Sequence, residues 1–378
     1  VDISLSHRLN AVKPSKTLSI CHHATALLQA DFDSPDVIAE AGMNATREGY
    51  TRYTPNAGTL ELRHAICRKL KFDNMELHIL LIRLWSVMEP IKVLFKQCLQ
   101  FVPQEMRHET VIIPAPFYTS DPEIARLADA TPVILPSHIS NNFLLDPKLL
   151  EASLTERSRL LILCSPCNPA GSVYSKKLLE EIAQIVLSDE IYEHIIMHQQ
   201  PIQASHLYLE CGTELQLANS AFLRMFVNYD NVESTFAMTG WRLGYIACPK
   251  HFVAAFGKIQ SQFTSGASSI SQKAGVAALG IGYAGGEAVS TMVKAFRERK
   301  FQYSIDHHHL ATLHKKFKNS EKLNTLAQVI TWFALVLGSA FGDDSCIRIS
   351  YDESLTNLKT TMERIKKALI PLSSDALV

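Results

Sequence analysis

The chain has 378 residues, 47% of them hydrophobic and 20% charged, with Lys+Arg and Asp+Glu both at 37 and no formal net charge. That length allows two or more domains with sizeable cores, and the balanced charge without a basic stripe argues against a nucleic-acid partner. The longest apolar stretches, Leu77–Met88 (broken by His78 and Arg83) and Val329–Leu337, are too short to cross a bilayer and read as buried core elements.

Along the chain, the opening VDISLSHRLN has neither an initiator Met nor a signal-like apolar core, so a processed or trimmed product is expected. Glu76–His108 carries no clear pattern. Thr110–Pro114 reads as a buried strand, Asp121–Ala128 as a helix, and Pro132–Leu135 and Arg159–Cys164 as further strands. Lys176–Val186 reads as the next helix. Pro114-Ala-Pro116 and Pro166–Gly171 punctuate strand ends with turn residues. Lys258–Lys300 is helical in character, broken at Gly282, Gly285 and Gly286, and Phe301–Gln328 is again without pattern. Leu358, Met362, Ile365 and Leu369 mark an amphipathic terminal helix. Strands alternating with helices predict a doubly wound α/β sheet, whose ligand sites lie beyond the carboxyl ends of the strands.

Eight scattered cysteines fit a reducing compartment better than a disulfide framework. Cys164-Ser-Pro-Cys167 has the spacing of a redox pair, but that reading needs a helix starting at the second cysteine to lower its thiol pKa. Asn168-Pro169-Ala170-Gly171 predicts a turn there instead, so a chance cysteine in an Asn-Pro turn is the better reading. His307–His309 reads as a solvated run rather than a metal site.

Several stretches resemble, in order, the fold type I pyridoxal-phosphate (PLP) aminotransferases, and within them the plant and bacterial aspartate aminotransferases that also act on prephenate. They are EGYTRYTPNAGTLELRHAICRKL, VIIPAPFYTSDPEIARLADATPVILP, RLLILCSPCNPAGSVYSKKLLEEIA, LSDEIYEH, FAMTGWRLGYIACPKHFVAAFGKIQSQFTSGASSISQKAGVAALG and FGDDSCIRISY, well over half the chain. The resemblance implies a large PLP-binding domain over 34–286 with a mostly parallel sheet, and a smaller α/β domain built from 1–33 and 287–378. It implies a dimer, of identical subunits or mixed with a paralogue, and a plastid stromal location like that of the plant relatives. The implied activity is exchange of amino groups between aspartate or glutamate and an oxo acid such as 2-oxoglutarate, oxaloacetate or prephenate.

The resemblance also assigns roles. PLP is an electron sink for the carbanion left when an amino acid loses its α-proton. Asp189 matches the carboxylate that keeps the ring nitrogen protonated, Asn168 and Tyr192 the donors to the ring hydroxyl, and Tyr118 the aromatic stacked on the ring. Arg242 matches a phosphate ligand, and Tyr53 a phosphate contact made across the dimer interface. Arg348 matches the bidentate clamp on the substrate carboxylate.

Against this stand departures. The family's Schiff-base lysine falls, reading back from Phe236 without gaps, on Ser234, with Glu233 and Thr235 beside it. A serine has no amine to attach to the cofactor and is a poor base, so no catalytic residue is assigned and a pseudoenzyme is expected. The Gly-Glu-Pro segment expected before Asp31-Phe32-Asp33 is absent, Glu76–His108 lacks the glycine of a phosphate loop, and Leu337 replaces a proline. The counterpart of a Pro-x-Gly-Ala-Phe-Tyr stretch is missing between Phe301 and Thr331. The short run between Ile182 and Asp189 leads to the expectation that Asp189 misses a proper strand end. These losses fall on glycine loops, in keeping with only 16 glycines, about 4% against a usual ~7%. A decaying gene copy and faulty exon joins explain them equally.

Overall fold

The computed structural model describes residues 12–13, 32–71, 78–83, 109–182, 186–189, 226–230, 236–248, 250–281, 286–302, 335–343 and 347–349, and the isolated helical positions 355–356, 359–360 and 363. The chain divides into two compact units, one of Val1–Lys13 with Ser34–Ser290 and one of Pro14–Asp33 with Thr291–Val378. Sequence reading groups 1–33 together. In the structure Val1–Lys13 counts with the larger unit, where the Lys13 amide donates to Glu123 Oε2 at 2.9 Å.

The larger unit opens with α1 (Asp36–Arg47), which buries Ile38, Gly42 and Ala45 on one face, and α2 (Leu60–Lys71), which buries Leu62, Ala65 and Ile66. This is the i, i+3/i+4 spacing of a core-facing helix. There follow β1 (His78–Arg83), β2 (Thr110–Ala115), α3 (Asp121–Leu127), β3 (Thr131–Pro136), α4 (Pro147–Ser153), β4 (Ser158–Cys164), α5 (Lys176–Ile182), β5 (Val186–Asp189), β6 (Phe226–Asp230) and β7 (Leu243–Cys248). α6 (Lys250–Phe263) and α7 (Ser269–Gly280) complete it; most of α8 (Gly286–Gln302) falls in the smaller unit. The helical stretch expected from Lys258 therefore has an additional break before Ser269, where Ser268 caps α7 by accepting from the Ser271 amide.

Among the described residues seven strands form one sheet in the order β1-β7-β6-β5-β4-β2-β3. β3, β2, β4, β5 and β6 run parallel, and β7 lies antiparallel to both β6 and β1. The central strands are buried on both faces: Val111, Ile112 and Ile113 in β2, and Leu160, Leu161, Ile162 and Leu163 in β4. That is why they read as continuous apolar runs rather than alternating ones. On one face Ile112, Leu161 and Leu163 meet Leu150 of α4, Leu179 and Ile182 of α5, and the ring of Tyr174. β3 takes the edge, where Pro132 and Pro136 cost no ladder bond to a further strand.

Two expectations need correction. The helix expected to reach Val186 stops at Ile182, because Val186 opens β5. Asp189 does close a proper strand: it is the last residue of β5, in parallel register with Cys164 of β4 and Tyr229 of β6. Three residues separate Ile182 from Val186 in sequence, within the roughly 2–6 usual between a helix and the next strand. A strand also emerges at His78–Arg83, inside the stretch that showed no pattern.

In the smaller unit, Phe32 meets Phe296 edge-on with centroids 5.4 Å apart. β8 (Leu335–Leu337) pairs antiparallel with β9 (Ile347–Ile349), placing Val336 opposite Arg348. The helical positions at 355–356, 359–360 and 363 fall within the C-terminal stretch, but the apolar residues Leu358, Met362, Ile365 and Leu369 lie outside the described residues. Among the described residues no helix is long and apolar enough to cross a membrane.

Candidate active site

Parallel strands gather their carboxyl ends along one edge of the sheet. Tyr118 lies just beyond β2, Asn168 just beyond β4, and Asp189 closes β5. β7 runs the other way, so its start belongs to the same edge, and Arg242 immediately precedes it. Four of the expected residues are thus brought together by topology. Tyr192, Ser234 and the His307–His309 run lie outside the described residues.

Asn168 sits half-buried in a turn. The Cys167 amide donates to the Ser172 carbonyl at 2.9 Å and the Gly171 amide to the Cys167 carbonyl at 2.6 Å. Gly171 has φ +69°, a conformation that favours glycine. The Cys167 thiol donates to the Pro116 carbonyl at 3.4 Å, tying this turn to the exit of β2, and the Cys164 thiol donates to Pro166 O at 3.1 Å. The next helix starts only at Lys176, so no helix begins at Cys167 as a redox pair would need. Beneath the turn, buried Tyr174 accepts from the Leu145 amide at 3.1 Å. Burial is the main cause that pushes its hydroxyl well above the ordinary phenol range, with the Leu145 bond opposing and the thiols of Cys167 and Cys164 adding.

Arg242 follows a loop with two non-glycine residues in the left-handed region, Ala237 at φ 53° and Arg242 itself at φ 55°. Such conformations cost about 1–3 kcal/mol each and persist only where surroundings over-determine them. Here Phe236 and Met238 are buried, and the Trp241 amide donates to Met238 O at 2.8 Å. Ser34 Oγ donates to Ala237 O at 2.8 Å and accepts from Trp241 Nε1 at 3.1 Å. Ser271 Oγ of α7 donates to Trp241 O at 2.8 Å, and Arg242 Nη1 donates to Thr239 O. The Trp241 ring lies against Gly42 of α1 so closely that a Cβ there would collide with it. Sequence reading missed Ser34, Ser271 and Gly42. For Gly42 and Ser271 the available signal was a small or polar residue on a helix face that is otherwise buried; Ser34, before α1, carries no such signal.

A second segment, Tyr50–Thr59, is fastened to α7. Gln272 is fully buried; its Nε2 donates to Thr54 Oγ1 and to Ala267 O, both at 2.9 Å, and its Oε1 accepts from the Thr59 amide at 2.7 Å. Ser269 Oγ donates to Tyr50 O at 2.6 Å, and Gln260 Nε2 donates to Asn56 O at 3.2 Å. Gly266 permits the approach, since a Cβ there would lie 2.9 Å from Thr54 O. Lys273 pairs with Glu61 at 2.6 Å and lies 4.6 Å from the Tyr50 ring centroid. The hydrogen bond to Glu61 is the largest cause of its raised pKa. Tyr53, at the middle of the segment, is 100% exposed. Val37, Met43, Tyr50 and Leu60 are exposed as well.

Arg348 belongs to the smaller unit, where its guanidinium lies 5.3 Å from the centroid of the Phe341 ring. Such a stack suits guanidinium, which keeps its fork of donors in plane.

The set at the sheet edge suits a phosphorylated pyridine in its chemistry: a carboxylate for a ring nitrogen, an amide for a ring oxygen, a phenol for a ring face and a guanidinium for phosphate. Comparison with known proteins agrees. The family model "Aminotransferase class I and II" matches residues 26–303. The chain is 50% identical to the bifunctional aspartate aminotransferase and glutamate/aspartate-prephenate aminotransferase of Petunia hybrida, covering 98% of this chain and 84% of that one. It is 47% identical to the aspartate aminotransferase of Pinus pinaster, covering 100% and 83%. The Petunia alignment extends over 423 residues against the 378 of this chain, so it carries gaps on this chain's side. Among solved structures, the aspartate aminotransferase of Rhizobium meliloti superposes with a TM-score of 0.78 at 26% identity, over 97% of this chain and 98% of that one. A Pyrococcus protein, A1, does so with a TM-score of 0.82 at 28% identity, over 98% and 100%. Fold, edge chemistry and relatives agree: this chain belongs to the class I and II aminotransferases of fold type I, a family that works with PLP.

Proposed function

We propose that this chain holds PLP without a covalent link at the carboxyl edge of its sheet, and that amino-group transfer by it is impaired or lost. The reaction inherited would run between aspartate or glutamate and an oxo acid, 2-oxoglutarate, oxaloacetate or prephenate; aspartate, glutamate and prephenate are the substrates in the Petunia relative's name. The observation that carries the reading is Ser234 at the sequence position matched to lysine, in a chain that keeps Tyr118, Asn168, Asp189 and Arg242 at the sheet edge. When bound, PLP supplies an electron sink for the substrate carbanion. Arg242 binds the phosphate, Asn168 and Tyr192 the ring oxygen, and Tyr118 covers a ring face. Asp189 would hold the proton on the ring nitrogen; by resemblance alone Arg348 is matched to the substrate carboxylate. What is missing is the amine that moves the α-proton, since the Ser234 hydroxyl is a poor base near neutral pH. Loss of a positioned acid–base group alone costs about 10²–10⁴ in rate.

The test is steady-state transamination of aspartate with 2-oxoglutarate by the native chain and by Ser234→Lys. A gain of about 10²-fold or more in the lysine variant supports the reading. Equal, substantial rates in both would sink it.

A second reading is a non-catalytic subunit that pairs with a copy of itself or with an intact paralogue. It is favoured by the exposure of Tyr53 together with Val37, Met43, Tyr50 and Leu60 on one stretch of the larger unit. A subunit of this kind lends Tyr53 to its neighbour's phosphate and keeps a structural role without chemistry of its own. Analytical ultracentrifugation would contradict it by showing a monomer at micromolar concentration, alone and mixed with an intact paralogue. By resemblance to the plant relatives the location is the plastid stroma, which fractionation of plant tissue would check.

A further inference from the structure

We infer that Ser34 is a positioning residue for phosphate recognition: it locks the loop that aims Arg242 and so sets the preference for a phosphorylated ligand. The inference rests on the reading of Arg242 as the phosphate ligand.

Ser34 is the first residue of the larger unit after the chain enters from the smaller one. It precedes α1 but does not cap it: Pro35 holds the N-cap position, without a side-chain cap bond. The Ser34 hydroxyl instead serves the loop from Phe236 to Arg242, some two hundred residues away in sequence. It donates to the carbonyl of Ala237 at 2.8 Å and accepts from the Trp241 indole at 3.1 Å. These are the two ends of a loop whose left-handed residues are Ala237 and Arg242.

A hydroxyl has one proton and two lone pairs, so one atom serves both bonds at once. An alanine would release both. Left-handed backbone at a non-glycine residue relaxes when its restraints go. Arg242 lies directly after Trp241, so a shift of the Trp241 backbone moves the Cα from which the guanidinium extends. Gly42 and Ser271 limit that shift from the helix side, through ring contact and the bond to Trp241 O. Neither bonds Ala237, whereas the Ser34 side chain bonds both ends of the loop.

The test compares pyridoxamine phosphate with pyridoxamine, which differ only in the phosphate and have no aldehyde to label surface lysines. Equilibrium dialysis on the full chain gives the affinity ratio for native protein, Ser34→Ala, Ser34→Thr, Trp241→Phe and Arg242→Ala. We expect Arg242→Ala to abolish the preference for phosphate. Ser34→Ala should cut the ratio about tenfold, Trp241→Phe about threefold, and Ser34→Thr should restore it, given the ordinary worth of one or two hydrogen bonds. A role confined to stability would lower both affinities together and leave the ratio intact. If Arg242→Ala abolishes the preference and neither Ser34→Ala nor Trp241→Phe lowers it, the inference about Ser34 fails alone. If the native chain shows no preference, or Arg242→Ala leaves it unchanged, the phosphate reading of Arg242 falls and takes the inference with it. Trp241→Phe keeps a ring against Gly42, so it serves even where Ser34→Ala does not fold.

Discussion

Two segments pack against α7, and they are held in opposite senses. Tyr50–Thr59 is fastened through a buried amide, Gln272, and presents Tyr53 wholly to solvent. Phe236–Arg242 is fastened through hydroxyls, Ser34 and Ser271, with Phe236 and Met238 buried beneath it. One anchoring holds a side chain out; the other keeps a loop drawn in at the sheet edge. The contrast teaches that α7 serves both an outward-facing and an inward-facing device from a single turn, Ser269 to Gln272. That is why polar residues occupy what looks like an apolar face in SSISQKAGVAALG.

The largest effect on this contrast is expected at Gln272. Gln272→Leu leaves the Thr59 amide without its acceptor and Thr54 without its donor, and unpaired buried groups cost about 1–3 kcal/mol each. Urea unfolding should show a stability loss near ~3 kcal/mol. An unchanged midpoint would mean that the segment is not held this way. Next is Gly42→Ala, whose Cβ collides with the Trp241 ring. Overpacking of this kind costs about 1–3 kcal/mol, and the near-ultraviolet circular dichroism of tryptophan should change with it.

A smaller effect separates both segments from the sheet that carries them. Tyr174 keeps its proton in the folded state beyond the pH at which an unfolded tyrosine loses it, near ~10. Above about pH 10 the unfolded chain therefore binds fewer protons, and stability falls by about 1.4 kcal/mol per pH unit until the folded group ionises. Tyr174→Phe should lack this alkaline limb, though it loses stability at neutral pH because the Leu145 amide loses its acceptor. The smallest effect is at Tyr53. Its full exposure predicts that Tyr53→Ala changes protomer stability by no more than about 0.5 kcal/mol. Any larger loss, measured at a dilution that keeps the chain monomeric, would show that the side chain is not free in the protomer.

Much of this was legible in the sequence, for reasons that differ by element. β2 and β4 announced themselves because burial on both faces leaves uninterrupted apolar runs such as VII and LLILC. The order of Tyr118, Asn168, Asp189 and Arg242 followed from motifs, and sheet topology then explained their meeting. β1 escaped because HILLIR is short, ends in charge, and sits in a stretch otherwise without pattern. β5 is harder to read because it is only four residues long and follows the helix at Ile182 after a short run. Ser34 and Gln272 were invisible for a different reason: their partners lie roughly two hundred residues away, and no local pattern encodes a bond of that range.

With Ser234 where the family has its lysine, the proposed loss of a covalent hold on PLP is the point on which the rest turns. It is tested by borohydride reduction of the native chain and of Ser234→Lys in the presence of PLP, followed by intact mass and peptide mapping. The native chain should carry no stoichiometric adduct, and Ser234→Lys should carry one, mapped to position 234. A stoichiometric adduct on the native chain, mapped to a single lysine, would contradict it and identify the amine that has taken over.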